Sequence, residues 1–259
     1  MSRGRLTIVG TGIQCGPQTT AEALHALETA DRVFFLVANP VADHWIRRLN
    51  PSAESLANCY RPGESRRRAY RAMESRVLRA ARNGGHICVA FYGHPGVFVR
   101  PSHGIVRRAS EEGIPARLCP GVSAEDCLFA DLDVDPAAHG CQSFEATDFL
   151  VHHRRFDPRC ALILWQIGVI GHQIVPPGAH SLGGLQILAE ELARWYPASH
   201  EVVIYEASEL PMGGPRVDRI PLTDLRGAEA TMKSTLYVSP RSDDGPDSDM
   251  VERLQAAIE

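Results

Sequence analysis

Two stretches of this sequence bring reactive side chains within reach of one another. The first is Phe91-Tyr92-Gly93-His94-Pro95-Gly96-Val97-Phe98. A strand-like run over 86–91 feeds into a Gly-His-Pro-Gly turn, where glycine lets a ligand approach bare backbone. In open α/β sheets, ligands bind beyond the carboxyl ends of the strands. Tyr92, His94 and Phe98 add stacking and hydrogen-bonding groups there; the plain alternative is an ordinary strand-to-helix turn. The second stretch runs from Tyr60 to Arg82. Met73, Val77 and Ala81 set a helical stripe, which extends backward to Tyr70 and then Arg66. An (i, i+4) Arg/Tyr pair therefore shares the inward face. A guanidinium on such a face must be paired or line a cavity; the alternative is a packed tyrosine with an arginine whose head reaches solvent. Tyr60, just ahead of the helix, can reach the same pocket.

The elements that must position these groups alternate between strand and helix. A strand over 6–9 leads into Gly10-Thr11-Gly12 and a helix over 21–29. The third glycine of a dinucleotide fingerprint is replaced by Cys15, so this turn reads equally as a phosphate loop or a tight opening turn. A strand over 32–37 and a helix over 42–48 follow. The helix carrying Arg66 is expected over 64–84, stopped by Gly84-Gly85. A helix over 101–112, a strand over 116–119 and Pro120-Gly121-Val122-Ser123-Ala124-Glu125-Asp126 come next. Ser123 there is a natural N-cap, and Ser123 and Ala124 are candidate ligand contacts. The polar stretch 136–157 is a possible boundary region. Beyond it, strands are expected over 161–166, 201–205, 217–220 and 234–238, with helices over 182–195 and 222–229. The tail from Pro240 reads as a linker ending in an amphipathic run over 250–258.

Bulk properties narrow the classes. The chain has 259 residues, 44% of them hydrophobic and 22% charged, and a net charge of −4. That is enough for a substantial core, and it gives no reason to expect nucleic acid or an anionic membrane as partner. No apolar run reaches the roughly 18–20 residues of a membrane helix. The seven cysteines form no CxxC pair, and they read as reduced thiols of a cytoplasmic protein. His152-His153 and His139-Gly140-Cys141 lack a convincing metal-ligand set, so no metal is expected. There is no P-loop, GxSxG or HExxH motif.

Taken together, the turns Gly10-Thr11-Gly12, Tyr92-Gly93-His94-Pro95-Gly96 and Pro120-Gly121-Val122-Ser123-Ala124 and the strand at Ser234-Thr235 follow the order of the tetrapyrrole methylase superfamily. The chain resembles that superfamily over about residues 4–240. Within it, the chain is most similar to the borosin peptide backbone α-N-methyltransferases. Phe91–Phe98, Pro120–Asp126, Phe129-Ala130-Asp131, His139-Gly140-Cys141, Glu145-Ala146-Thr147 and Trp165-Gln166 carry that likeness, as do Tyr60, Arg66 and Tyr70. The resemblance implies an α/β fold with two subdomains, 1–119 and 120–240, and the cofactor cleft between them, followed by a linker and short helix over 241–259. It implies S-adenosyl-L-methionine as cofactor. Tyr92, His94, Val97, Phe98, Ser123, Ala124, Gln166, Ser208, Ser234 and Thr235 would contact it.

The implied catalytic set is Tyr60, Arg66, Tyr70 and Tyr92. A peptide nitrogen shares its lone pair with the carbonyl, so it attacks a methyl donor only as its proton leaves and charge builds on oxygen. Arg66 would favour a neighbouring phenolate. One of the tyrosines, Tyr70 on the shared helix face before the others, would act as base, and the rest, Tyr60 and Tyr92 on that assignment, would bind the amide oxygen; the sequence does not decide which tyrosine takes which role. The expected substrate is a separate precursor peptide, as in bacterial split borosins, because no apolar core segment follows the tail. The expected assembly is a homodimer, or a heterotetramer with the precursor. The competing readings are a tetrapyrrole or other small-molecule methyltransferase, and a non-catalytic peptide-binding scaffold.

Overall fold

The computed structural model describes residues 4–61, 63–172, 182–241 and 245–258. Pro62, residues 242–244 of the tail and Glu259 lie outside the described residues. In chain order the elements are β1 (Arg5–Gly10), α1 (Ala21–Thr29), β2 (Arg32–Leu36), α2 (Pro40–Leu49), β3 (Glu54–Ser55), α3 (Arg66–Arg82), β4 (His86–Phe91), α4 (Arg100–Glu111) and β5 (Ala116–Leu118). They continue with α5 (Ala124–Leu132), α6 (Pro136–His139), β6 (Cys141–Glu145), α7 (Ala146–Val151), β7 (Ala161–Trp165), α8 (Leu182–Leu192), β8 (Glu201–Glu206), β9 (Arg216–Pro221), β10 (Thr235–Val238) and α9 (Ser248–Ala256).

The first sheet has the order β3-β2-β4-β1-β5, and all its pairings are parallel. Its strands are apolar on both faces because helices cover both. Ile8, Phe34 and Val89 face a core with Met73 and Val77 of α3 and Ile105 of α4. Val9, Phe35 and Ala90 face the opposite core with Leu27 of α1 and Ile46 of α2. This alternation is the two-residue period of the strand.

The second sheet, β6-β7-β10-β8-β9, is mixed. β6 and β7 are parallel, and the remaining pairs are antiparallel. Leu128 and Leu132 of α5 pack on Ile163, Val203 and Tyr205 on one face. Phe149 of α7 and Leu185, Leu188 and Leu192 of α8 pack on Leu162, Ile204 and Leu236 on the other. The polar stretch 136–157 carries α6, β6 and α7, and β6 is an integral edge strand. Its weak apolar signal reflects that edge position: none of its five residues is fully buried. No helix among the described residues is long and apolar enough to cross a membrane.

Candidate active site

Three turns at the carboxyl ends of β1, β4 and β5 lock together through backbone. The Gly93 amide donates to the Gly12 carbonyl at 3.0 Å, and the Thr11 amide donates to Phe91 at 2.9 Å. A Cβ on Gly10 would lie 2.1 Å from the Gly93 oxygen, and one on Gly121 would lie 3.3 Å from both Gly10 and Gly93. The Ile13 and Gln14 amides, which a phosphate loop would leave open, both donate to Gln18 Oε1 at 2.9 Å. Gly10-Thr11-Gly12 is thus a tight structural turn, and its glycines serve close backbone packing.

Beyond these turns lies a cavity of about 480 Å³, a volume typical of small-molecule sites. Tyr92, His94, Val97, Phe98, Ser123, Ala124, Gln166 and Thr235 all line it. Ser123 caps α5 in a reciprocal box: its hydroxyl and amide each donate to Asp126 Oδ2 at 2.7 Å. His94 Nδ1 accepts from the Gly96 amide at 2.9 Å, which fixes its ring over the turn. Thr235, at 2% exposure, makes no side-chain hydrogen bond among the described residues, and neither does Tyr92. Burial pushes the Tyr92 phenol pKa up, and the acids Glu209 and Glu206 add to it, so Tyr92 is held neutral as a donor.

A second, more polar chamber of about 750 Å³ adjoins the first. Arg66 and Tyr70 line it, with Ser65, Arg67, Arg100, His103, Glu145 and His172. α3 runs antiparallel to β4, so its first turn overhangs the strands' carboxyl ends. There the helix face finds open space instead of sheet, and Arg66 and Tyr70 are half-buried while Ala69 beside them is packed in the core. Tyr60 meets Tyr70 edge to face, with ring centroids 6.4 Å apart. The residue is 44% exposed, yet its phenol pKa is pushed up: burial first, then Tyr70, with Arg66 opposing.

Phe98, Val99 and Gln166 line both cavities and form the wall between them. Phe98 (φ 55°) and Gln166 (φ 61°) are left-handed without being glycine. Phe98 is braced by Trp165, with centroids 5.4 Å apart. Such backbone strain persists only where the surroundings over-determine it, and it concentrates at ligand clamps.

Arg66 and Tyr70 therefore share the larger chamber, with Tyr60 packed on Tyr70 outside the lining of either cavity, whereas Tyr92 sits across the shared wall. Ser208 and Ser234 depart from the expected cofactor set. The Ser208 hydroxyl donates to the Leu210 carbonyl at 2.8 Å. Ser234 is fully buried below the site, bonded to Glu206 and accepting from the Thr231 amide at 2.8 Å. Ser234 thus anchors the start of β10 while its neighbour Thr235 faces the cavity, as strand alternation requires. The sequence reading missed Glu209 and Lys233, an ion pair that lines the smaller cavity. It also missed Tyr205, whose hydroxyl donates to Asp131 Oδ2 at 2.7 Å beneath that cavity. An acid on an irregular loop carries no periodic signal, although strand alternation would have placed Tyr205 inward. Among the described residues, no group of three or more metal-ligand side chains clusters.

Paired α/β sheets with a ligand-sized cleft at the strand ends define the class. The chain belongs to the Tetrapyrrole (Corrin/Porphyrin) Methylases family, whose profile matches residues 5–208. Its fold is shared with uroporphyrin-III C-methyltransferase from Thermus thermophilus complexed with S-adenosylhomocysteine: TM-score 0.63, 21% identity, 91% of this chain and 97% of that one. A second structure of uroporphyrin-III C-methyltransferase from Thermus thermophilus gives a TM-score of 0.64 at 22% identity, over 95% of this chain and 100% of the other. In sequence the chain is 39% identical, over 256 residues, to the methyltransferase/ribosomally synthesized cyclic peptide gymnopeptides precursor of Gymnopus fusipes. It is 38% identical to the omphalotin A counterpart of Omphalotus olearius; each match covers 97% of this chain and 61% of the relative. A type III borosin precursor of Anomoporia bombycina is 38% identical over 92% of this chain and 28% of its own length. The chain thus spans about three fifths of the length of the first two. These relatives are fungal fusions of methyltransferase and precursor, so they lend no support to the bacterial split type expected above.

Proposed function

We propose that this chain is an S-adenosyl-L-methionine-dependent methyltransferase that α-N-methylates backbone amides of a ribosomal precursor peptide. The observation that carries the reading is the shared wall: Phe98, Val99 and Gln166 line both the cavity suited to the methyl donor and the chamber of Arg66 and Tyr70. The smaller cavity fits the cofactor, because it pairs apolar lining from Ile13, Val37 and Met232 with the uncommitted hydroxyls of Tyr92 and Thr235. When bound, S-adenosyl-L-methionine supplies an electrophilic methyl group.

The chain's own residues prepare the acceptor. Tyr70 serves as the base for the amide proton, so the nitrogen keeps its electron pair for the new N–C bond. Arg66 holds a fixed positive charge where negative charge develops on the phenol oxygen and then on the amide oxygen. Tyr60, held neutral, donates to that amide oxygen. Tyr92 orients the peptide from the donor side. Phe98, braced by Trp165, stands between the two cavities.

The reading includes a precursor supplied as a separate chain and a homodimeric enzyme. Both are tested by adding a synthetic Val/Ile/Gly-rich peptide in trans and by light scattering. Mass spectrometry should show stepwise methyl additions with the wild-type chain, and none with Tyr70→Phe or Arg66→Ala, while cofactor binding persists. Full activity in Tyr70→Phe would remove it as base. Methylation of a tetrapyrrole in preference to any peptide would replace the substrate class.

A further inference from the structure

We propose that the outer wall of the larger chamber recognises acidic side chains of the peptide, flanking the segment that enters to be methylated. This rests on the peptide reading above and names the charge the substrate must carry. Arg66, Arg67, Arg100, His103 and His172 all line that chamber, in a chain whose net charge is −4. Its one acidic lining residue, Glu145, is already engaged, accepting from the Asp148 amide at 2.7 Å. Neither Arg66, Arg67 nor Arg100 has a carboxylate partner among the described residues; nearby Arg68, by contrast, pairs with Glu64 at 3.4 Å.

The backbone adds to the imbalance. α3 and α4 both begin at this chamber: Ser65 and Arg66 of one, and Val99 and Arg100 of the other, line it. Their N-cap residues, Ser65 and Val99, make no side-chain cap bond, and neither first turn holds an acid. Elsewhere Thr20, Asn39 and Ser123 cap α1, α2 and α5. Arginines at the positive ends of two uncapped helices repel those ends, and an anion seated there relieves both. Arg66 faces Tyr70, whereas exposed Arg67, Arg100 and His103 form the rim. A wall of about 750 Å³ spread over two helices suits a chain segment carrying several carboxylates better than one small anion.

Three fluorescent peptides with one common Val/Ile/Gly core, flanked by Asp, Asn or Lys, test this by anisotropy and by methylation. The Asp-flanked peptide should bind wild-type protein about tenfold tighter than the Asn-flanked one, with the Lys-flanked one weakest. That advantage should shrink as salt rises. Arg67→Glu with Arg100→Glu should reverse the order, and Arg100→Gln alone should reduce it, with cofactor affinity unchanged. The wild-type peptide series stands even if a variant fails to fold. Equal affinity for all three, with methylation proceeding, would overturn the acidic contact and leave backbone methylation standing. No binding and no methylation of any of them, with cofactor still bound, would overturn both.

Discussion

The two cavities that meet at Phe98 and Gln166 are made of different material. The smaller is built by backbone: glycine packs on glycine across three turns, and His94 and Ser123 are committed to turn and cap bonds. The larger is built by side chains on the first turns of α3 and α4, several of them charged and unpaired. A backbone-built wall is broken by adding an atom, and a side-chain-built wall by removing one. The smaller cavity thus resembles a mould, and the larger a set of placed reagents.

The sharpest way to separate them is to remove one oxygen from the reagent side. Tyr70→Phe should lower the methylation rate by about 10²–10⁴, the usual worth of a positioned general base. Calorimetry should find cofactor affinity unchanged, because Tyr70 does not line the smaller cavity. A matched loss of both would mean that the two cavities work as one.

Adding one carbon to the mould should do the reverse. Gly10→Ala places a methyl 2.1 Å from the Gly93 oxygen and 2.8 Å from Pro95 Cδ, so two backbones must part. Overpacking of this kind costs about 3 kcal/mol. Thermal unfolding and cofactor binding should weaken together. An unchanged melting temperature would show that the turns are not locked as described.

The same contrast decides what could be read from sequence. The α/β alternation and the strand-end turns were legible because Gly-His-Pro-Gly and Pro-Gly-Val-Ser need particular backbone, and backbone demand leaves local marks. Helix phase placed Arg66 with Tyr70, since one stripe contains both. Phase could not show that this stripe overhangs the sheet edge, which depends on where β4 stops. Tyr92 was expected both with the other tyrosines and among the cofactor contacts; it lines the smaller cavity, across the wall at Phe98 from Arg66 and Tyr70. Glu209 with Lys233 joins two loops distant in sequence, and β6 lies at an edge, so neither had a pattern to reveal it.

Beneath the mould, Tyr205 is wholly buried and donates to Asp131 on α5. Burial pushes its phenol pKa up, with Asp131 adding to it, so it remains a donor across the working range. Tyr205→Phe keeps the ring and loses this bond. Asp131 is exposed and can be rehydrated, so the cost should be about 1 kcal/mol by denaturant unfolding. A larger loss of cofactor affinity than of stability would show that this tie shapes the cavity floor.

The smallest effect should come from the tie that fixes the phase of α3. Glu54 on β3 bonds Arg32 of β2 and, at 2.6 Å, Arg76 of α3. The Arg32 bond holds its carboxyl below the usual range, with burial opposing and Arg76 reinforcing. A carboxyl whose folded pKa is lowered adds stability that is present above its unfolded value and is lost as pH falls through the folded one. Glu54 is about one third exposed, so solvent screening keeps that gain well under about 1 kcal/mol. Glu54→Gln should therefore be slightly less stable than wild type at neutral pH and match it in strong acid. Arg76 lies ten positions beyond Arg66 on one rigid helix, so a loosened tie should turn the first turn only a little. Methylation should fall by less than about twofold, with cofactor affinity untouched. A larger fall would mean that the placed reagents depend on helix phase more finely than the mould depends on its turns.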